Sequence, residues 1–169
     1  MKLTDDYLDE EKLGQVLEII YPNEKIIHNR KIPGYKELCR PDYRLPNLNL
    51  IFEFDGSTHF TNPKRIIMDE KNDIFYKSLG YRVIRIPYFI QMNSEFFKNI
   101  LNLDIGNLYN YPNGFIDNRA ALPAEFCSLG LRNYIKIIKV DYGYCLDEIK
   151  QSLEAKIKQL GDERLVVSY

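Results

Sequence analysis

The stretch that decides the fold reads Arg40-Pro-Asp-Tyr-Arg-Leu-Pro-Asn-Leu-Asn-Leu-Ile-Phe-Glu-Phe-Asp-Gly-Ser-Thr-His59. In it, a Pro-Asp pair precedes a short apolar run that ends in Glu53-Phe54-Asp55-Gly56. Because successive side chains of a strand point to opposite faces, Glu53 and Asp55 share one face. Asp42 lies about one hairpin's length upstream. The pattern predicts a two-stranded ribbon with three carboxylates that converge at one end.

The elements predicted on either side of this ribbon alternate between strands and helices. Turn, cap and periodicity signals predict, in chain order, a helix capped by Asp5 or Asp6 that runs to about Tyr21, strands at 25–30, 38–45 and 50–54, a helix from Pro63 to Leu79, a strand at 81–86 and a short helix at 94–101. The order strand, helix, strand in the second half predicts a parallel crossover. The result is an α/β fold.

The chain after residue 103 has a different composition. Residues 104–124 are rich in Asn, Gly and Pro, and they are followed by a predicted strand at 134–140, a helix at 146–160 and a strand at 164–168. The prediction is a core at 1–103 and a C-terminal β-α-β extension at 104–169, packed as one compact unit. The extension would extend the sheet, select the substrate or form a dimer surface. Its aromatic and basic residues could stack on nucleic acid or cover a small core; they are Tyr109, Tyr111, Phe115, Arg119, Phe126, Arg132 and Tyr134.

Composition excludes several classes of protein. The longest apolar runs fall short of the roughly 18 residues that a membrane span needs, and the acidic N-terminus is unlike a signal peptide. The three cysteines are odd in number and widely spaced, which favours a reducing compartment. The expectation is a cytoplasmic protein with no membrane partner. The net charge of −1 does not indicate nucleic acid, although residues 30–98 hold more Lys and Arg than Asp and Glu.

The carboxylate cluster indicates a cation. Asp42, Glu53 and Asp55 would repel one another if bare, and burying their charge is costly unless a cation lies between them. Oxygen ligands of this kind suit Mg²⁺ or Mn²⁺. A divalent ion with open water positions is the equipment for hydrolysing phosphodiesters. The competing interpretation is that Asp55-Gly56 is only a turn and that Pro41-Asp42 only begins a strand.

Five ordered motifs carry a family resemblance. They are Glu10, Pro41-Asp42, Glu53-Phe-Asp-Gly-Ser-Thr-His59, Asp69, and Gly80-Tyr-Arg-Val-Ile-Arg85. With them the chain resembles the PD-(D/E)xK nuclease superfamily, and it is most similar to the branch of very-short-patch-repair endonucleases and related small restriction-like endonucleases. The resemblance covers Glu10 to about Tyr88. It implies a three-layer restriction-endonuclease-like core, with a central mixed sheet flanked by helices.

The resemblance also implies roles for individual residues. Asp42 would be the central metal ligand, Glu53 the second acid, the carbonyl of Phe54 a third ligand, and Glu10 a support for the metal shell or its water. Glu10 could equally serve only the helix dipole. The lysine position of the motif holds Asp55, which could bind a second metal.

The missing lysine leaves the proton-handling group open. His59 or Lys71 could supply the proton chemistry or the positive charge. His59 has an ordinary pKa of about 6.5, suited to a general base near neutrality, and helical spacing predicts Lys71 on the inner side of its helix with Ile67, Ile74, Phe75 and Ser78. Four arginines are candidates for nucleic-acid binding: Arg40, Arg44, Arg82 and Arg85. Lys71, Arg82 and Arg85 could instead be ordinary charge partners of Asp69 and Asp73.

These expectations combine into two hypotheses about function. The first is a Mg²⁺- or Mn²⁺-dependent DNA endonuclease, a hydrolase of restriction or repair type that nicks or cuts DNA, as a homodimer or in a larger nuclease complex. The second is a catalytically silent nuclease-fold module that binds DNA or a protein partner. The missing lysine favours the second hypothesis, and the retained carboxylates favour the first.

Overall fold

The computed structural model describes residues 7–34, 39–106, 108–109 and 111–161. Within these ranges the chain forms one small sheet flanked by helices. The strands and helices are α1 (Glu10–Ile20), β1 (Ile27–His28), β2 (Tyr43–Leu45), β3 (Leu50–Asp55), α2 (Thr58–Thr61), α3 (Pro63–Ser78), β4 (Arg82–Pro87), α4 (Ser94–Phe96), α5 (Ser128–Lys136) and α6 (Leu146–Leu160). Two π-helical segments, Phe97–Leu101 and Ile137–Asp141, continue α4 and α5.

The four strands lie in the order β1-β2-β3-β4. The pairs β1–β2 and β2–β3 are antiparallel, and a 3₁₀ turn at Pro46–Leu48 forms the hairpin loop between β2 and β3. The strands β3 and β4 are parallel and α3 connects them. The predicted hairpin and the predicted crossover are therefore confirmed, and the fold is α/β with a mixed sheet. The two upstream strands are shorter than predicted, with two and three residues.

The side chains of β3 alternate between two packing layers. Phe52 and Phe54 face the main core, which also holds the buried residues of α1. Ile51 packs in a smaller cluster with Tyr76 of α3. By the same alternation Glu53 lies on the Ile51 side. The acidic side chains of β3 therefore lie between the sheet and α3.

The first helix begins later than its sequence predicts. Its N-cap is Asp9, whose side chain accepts a hydrogen bond from the backbone N–H of Lys12, so the predicted cap at Asp5 or Asp6 is wrong. Just before the cap, Leu8 is buried and its N–H donates to the side chain of Gln91. This anchored residue sets the helix start, and it places Glu10 in the first turn.

The helix α3 has the predicted length but a different inner face. Its buried residues are Ile66, Asp69 and Tyr76, whereas Ile67 and Ile74 are 45% and 70% exposed. Of the predicted inner residues, Phe75 does pack against the smaller cluster, but Ile67, Lys71, Ile74 and Ser78 are exposed, so most of the predicted inner face is wrong. Apolar spacing misplaced it because the helix also turns Asp69 and Asp73 inward, where both pair with Arg85 of β4.

The predicted strand at 134–140 is also wrong, because this segment is helical. Its buried side chains, Tyr134 and Ile138, are four residues apart and enter the main core, while Val140 is 71% exposed. Tertiary packing has thus overridden the β-propensity of an Ile- and Val-rich segment. Between 104 and 161 the described residues form helices and turns but no strand, and the predicted strand at 164–168 lies outside the described residues.

The aromatic residues of the C-terminal part belong to the main core. Tyr109, Phe115, Phe126 and Tyr134 are each at most 9% exposed, and this core also contains Leu13 of α1. Of the two interpretations of these aromatics, the structure favours the core. Among the described residues, no helix has both the length and the apolar character to cross a membrane.

Candidate active site

Asp42 and Glu53 meet at the end of the β2–β3 hairpin. Tyr43 pairs with Phe52, so the next pair outward in this antiparallel register is Asp42 with Glu53. The backbone of Asp42 lies close enough to the Glu53 carboxylate to oppose the rise in its pKa. Oδ2 of Asp42 accepts a hydrogen bond from the backbone N–H of Phe54, the residue after Glu53, at 2.7 Å. Hairpin register and this bond therefore hold the two acids side by side.

Burial and mutual repulsion perturb both acids. Burial raises the pKa of Glu53 to about 8, and the charge of Asp42 adds to the effect while Arg85 opposes it. Burial also raises the pKa of Asp42, against the hydrogen bond from Phe54, and the charges of Glu10 and Asp55 raise it further. Raised carboxyl pKa values in a like-charged pair are typical of functional sites.

Glu10 reaches this pair from the first turn of α1. Its charge acts on Asp42 strongly enough to raise the pKa of that carboxyl. Its Oε1 lies 2.9 Å from Nε2 of His28, and its backbone carbonyl accepts a hydrogen bond from the hydroxyl of Tyr43 at 2.9 Å. The structure therefore brings Glu10 to the edge of the cluster.

Asp55 lies in an ion-paired network instead of beside the other two acids. It is 4% exposed, and its Oδ1 lies 2.6 Å from Nη1 of Arg85 and 3.1 Å from Nδ1 of His59. Burial raises the pKa of Asp55, although Arg85 and His59 oppose this effect. Because its Oδ1 is already engaged by both side chains, Asp55 is a poor second metal ligand as it stands.

Arg85 also binds the acids of α3. Its Nε lies 3.0 Å from Asp73, and its Nη2 lies 3.6 Å from Asp69. Burial alone would lower the pKa of Arg85, but the surrounding carboxylates, including Glu53, raise it above its ordinary value. The guanidinium therefore stays charged beside Glu53, its partner in the β3–β4 register.

His59 is held by two carboxylates through one nitrogen. Its Nδ1 lies 2.7 Å from Oδ2 of Asp69 and 3.1 Å from Oδ1 of Asp55, and the side chain is 9% exposed. Ionised carboxylates are acceptors only, so Nδ1 carries the proton and Nε2 of a neutral ring keeps a lone pair. This tautomer is the one that a general base needs.

The remaining predicted residues lie apart from the acidic pair. Lys71 is exposed on the outer side of α3, and Arg40 and Arg82 are also exposed. Arg44 is 7% exposed and donates to the hydroxyl of Tyr81, so it is buried where a surface contact was expected. Arg85 is engaged by acids but remains 19% exposed.

Three residues of α3 belong to the site although the sequence did not assign them to it. Asp69 orients His59, Asp73 holds Arg85, and the hydroxyl of the buried Tyr76 bonds to Glu53, which together with burial raises the pKa of Tyr76. A signal existed for Asp69, which stands in the motif. Asp73 and Tyr76 follow it at helical spacing, four and seven residues later.

The fit of a divalent ion can be tested against this geometry. Among the residues that the structure describes, no three His, Cys, Asp or Glu side chains stand together as a ready metal site. Asp42 and Glu53 nevertheless supply two adjacent hard oxygen ligands, and the charge of Asp42 raises the pKa of Glu53. Mg²⁺ is commonly held by one or two carboxylates and keeps several waters. The donor set therefore suits such an ion.

The raised pKa of Glu53 predicts a falling stability between about pH 4.5 and 8 in metal-free buffer. The folded protein keeps a proton that the unfolded chain, with an ordinary value of 4.5, has released. Stability therefore falls as pH rises through this window, by on the order of 5 kcal/mol in total. Urea unfolding with EDTA present measures the slope.

A matched pair of variants tests the assignment of that slope. Glu53→Gln cannot ionise, so its unfolding free energy is expected to be flatter over the same pH range. Glu154→Gln, an exposed change on α6, is expected to keep the wild-type slope. Equal slopes in wild type and Glu53→Gln would show that the proton is bound elsewhere.

The chain has no match among protein-family models, curated proteins or solved structures. Its likeness to the PD-(D/E)xK superfamily thus rests on the motifs between Glu10 and Arg85 and stays a prediction. What the site can do follows from its own residues: two adjacent carboxyl groups with raised pKa values, an oriented histidine and a largely buried guanidinium.

Proposed function

We propose that this protein is a metal-dependent DNA endonuclease that hydrolyses phosphodiester bonds. The observation that carries the proposal is the register pair Asp42 and Glu53, two acids at one hairpin end whose pKa values are both raised. Two like charges held together in a partly buried place are unfavourable unless protons or a cation neutralise them. At neutral pH a divalent cation is the neutralising group that would also give the pair a chemical use.

Asp42 and Glu53 would hold Mg²⁺ or Mn²⁺, with the carbonyl of Phe54 and water as further oxygen ligands. When bound, the ion would lower the pKa of a coordinated water and stabilise charge on the scissile phosphate. Glu10 would orient water at the outer edge of this shell. The remaining chemistry, proton transfer and charge balance, falls to residues of the neighbouring network.

His59 is the group best suited to move a proton. Asp69 and Asp55 fix its Nδ1–H, which leaves Nε2 as the acceptor. Its contact with Asp55, two residues after Glu53 on β3, keeps the ring on the side of the sheet where Glu53 lies. Lys71 is exposed on the far side of α3, and it does not have the position for this role.

Arg85 supplies the positive charge that the motif lysine would otherwise bring. It pairs with Glu53 in the register of β3 and β4 and lowers the pKa of that acid. A guanidinium stays protonated in proteins, so it contributes charge and not base chemistry. The motif lysine would supply both positive charge and proton transfer; here Arg85 would supply the charge and His59 would transfer the proton.

A cavity of about 450 Å³, which His59, Arg85 and Asp55 line but Asp42 and Glu53 do not, could receive the substrate backbone next to the acidic pair. The exposed cations Lys77, Arg82 and Lys136 also lie along it. Lysine and arginine side chains in this position would contact phosphates and fix the register of a strand without reading its sequence. Acidic residues also line the cavity. Because they would repel phosphates, they limit the length of nucleic-acid backbone that the cavity would hold.

The proposal is tested by cleavage of supercoiled, mismatched and branched DNA by the metal-free protein after addition of Mg²⁺ or Mn²⁺. Cleavage is expected to begin with the metal and to stop with EDTA, and calorimetry is expected to detect binding of Mn²⁺ alone. RNA of the same sequence serves as the comparison substrate. The absence of both cleavage and metal binding would overturn the proposal, and DNA binding without either would favour a silent binding module.

A further inference from the structure

His28 is the other of the two histidines in the chain, and the nuclease motifs do not include it. It ends β1, and its Nε2 lies 2.9 Å from Oε1 of Glu10. Its ring stacks on Tyr43, with ring centres 4.6 Å apart and planes inclined by 13°. The stack follows from the register, in which His28 and Tyr43 are direct partners on β1 and β2.

Tyr43 binds the same glutamate at a second point. Its hydroxyl donates to the backbone carbonyl of Glu10 at 2.9 Å. His28 and Tyr43 together therefore hold both the backbone and the carboxylate of Glu10. Gly14, one turn further along α1, allows this approach, because a Cβ there would lie 2.4 Å from the Tyr43 hydroxyl oxygen.

The residue after His28 ties the same strand end to Asp42. The backbone N–H of Asn29 donates to the carbonyl of Asp42 at 2.9 Å. Asn29 has a φ of 46°, in the left-handed region that asparagine tolerates better than most residues. Through two successive residues, β1 thus contacts Glu10 by a side chain and Asp42 by its backbone.

The geometry points to His28 as a positioning residue that holds the Glu10 carboxylate beside Asp42 for the shell of a divalent cation. This inference rests on the proposed metal-dependent function. The side chains of His28 and Glu10 are 54% and 45% exposed, and an exposed pair of this kind adds little to folding stability. What the bond does provide is a fixed orientation for a carboxylate whose charge already acts on Asp42.

Two substitutions separate the hydrogen bond from the ring stack. His28→Phe keeps an aromatic ring over Tyr43 but removes the donor to Glu10. His28→Gln loses the ring but keeps an N–H donor near the position of Nε2. The readout is the dissociation constant of Mn²⁺ with the intact metal-free protein, followed by the EPR signal of free Mn²⁺, together with the Mn²⁺ concentration that half-saturates DNA cleavage.

We expect His28→Phe to weaken Mn²⁺ binding about 10-fold or more, the range for loss of a partner that orients a metal ligand. His28→Gln is expected to restore most of the affinity. Glu10→Gln should weaken binding similarly, and the double variant with His28→Phe should show no further loss because the two residues act through one bond.

The outcomes distinguish this inference from the proposed function. If the wild type binds Mn²⁺ and His28→Phe binds it equally well, the inference is overturned and the proposed function stands. If the wild type neither binds Mn²⁺ nor cleaves DNA, both are overturned. The Phe and Gln variants can differ in melting temperature. Mn²⁺ binding is therefore measured well below both unfolding transitions, so that only folded proteins are compared.

Discussion

Replacing Asp42 by asparagine is expected to lower the rate of metal-dependent DNA cleavage by at least about 100-fold, since loss of even an outer partner of a metal ligand costs 10–100-fold. The amide oxygen of asparagine can still accept the hydrogen bond that Phe54 donates at 2.7 Å. What it loses is the negative charge. Asparagine also removes repulsion from Glu53, Glu10 and Asp55, so the variant should be at least as stable as the wild type at pH 8.

The combination of lost activity and retained stability is what identifies Asp42 as part of the site. Single-turnover cleavage at saturating Mg²⁺ measures the rate, and urea unfolding at pH 8 measures stability. Glu154→Gln is the control, because it also replaces a carboxylate by an amide of nearly the same size, at an exposed position of α6. It should leave the cleavage rate and the stability unchanged. An Asp42→Asn protein that cleaves DNA at the wild-type rate would exclude Asp42 from the proposed chemistry.

Replacing Gly130 by alanine is expected to destabilise the protein by about 3 kcal/mol, at the upper end of the usual range for overpacking. A Cβ at this position would lie 1.8 Å from the backbone carbonyl oxygen of Phe60. That oxygen cannot move freely, because it accepts the N–H of Cys127 at the N-cap of α5. The clash therefore separates α5 from α2, the short helix that carries His59.

Chemical and thermal unfolding measure the size of this effect. For a chain of this length, about 3 kcal/mol corresponds to a fall in Tm of roughly 6–12 °C. Gly143→Ala is the matched control, since a Cβ there would have no atom within 4 Å. Its stability is expected to stay the same or rise by up to about 1 kcal/mol, because alanine reduces the freedom of the unfolded chain. If Gly130→Ala is as stable as this control, the close packing of α5 on α2 is not required.

The local order of the sheet region could be predicted from the sequence because each step has a local signal. Pro46 and Asn49 mark the hairpin, Pro63 begins α3, and Gly80 ends it with a φ of 86°. The convergence of Asp42 and Glu53 follows from hairpin register and strand alternation alone. These features depend on residues close together in the chain, where backbone preferences act directly.

Errors arose where distant contacts outweighed local preference. Ile137, Ile138 and Val140 favour a strand by composition, but Tyr134 and Ile138 enter the core at helical spacing. The inner face of α3 was misplaced because ion pairs to Arg85 and His59, and not apolar side chains, turn Asp69 and Asp73 inward. A rule based on apolar periodicity cannot detect a face that is buried by charge pairing.

By itself, the sequence determined that two carboxylates would meet at the end of a β-hairpin beside a parallel crossover. Only the tertiary structure decided which other side chains act on them. It paired Asp55 with Arg85, bound His59 to Asp69, and brought Glu10 to Asp42 with His28 behind it. The physical reason is range: strand register is set by neighbouring residues, whereas these ion pairs join elements that approach only when the helices pack on both faces of the sheet.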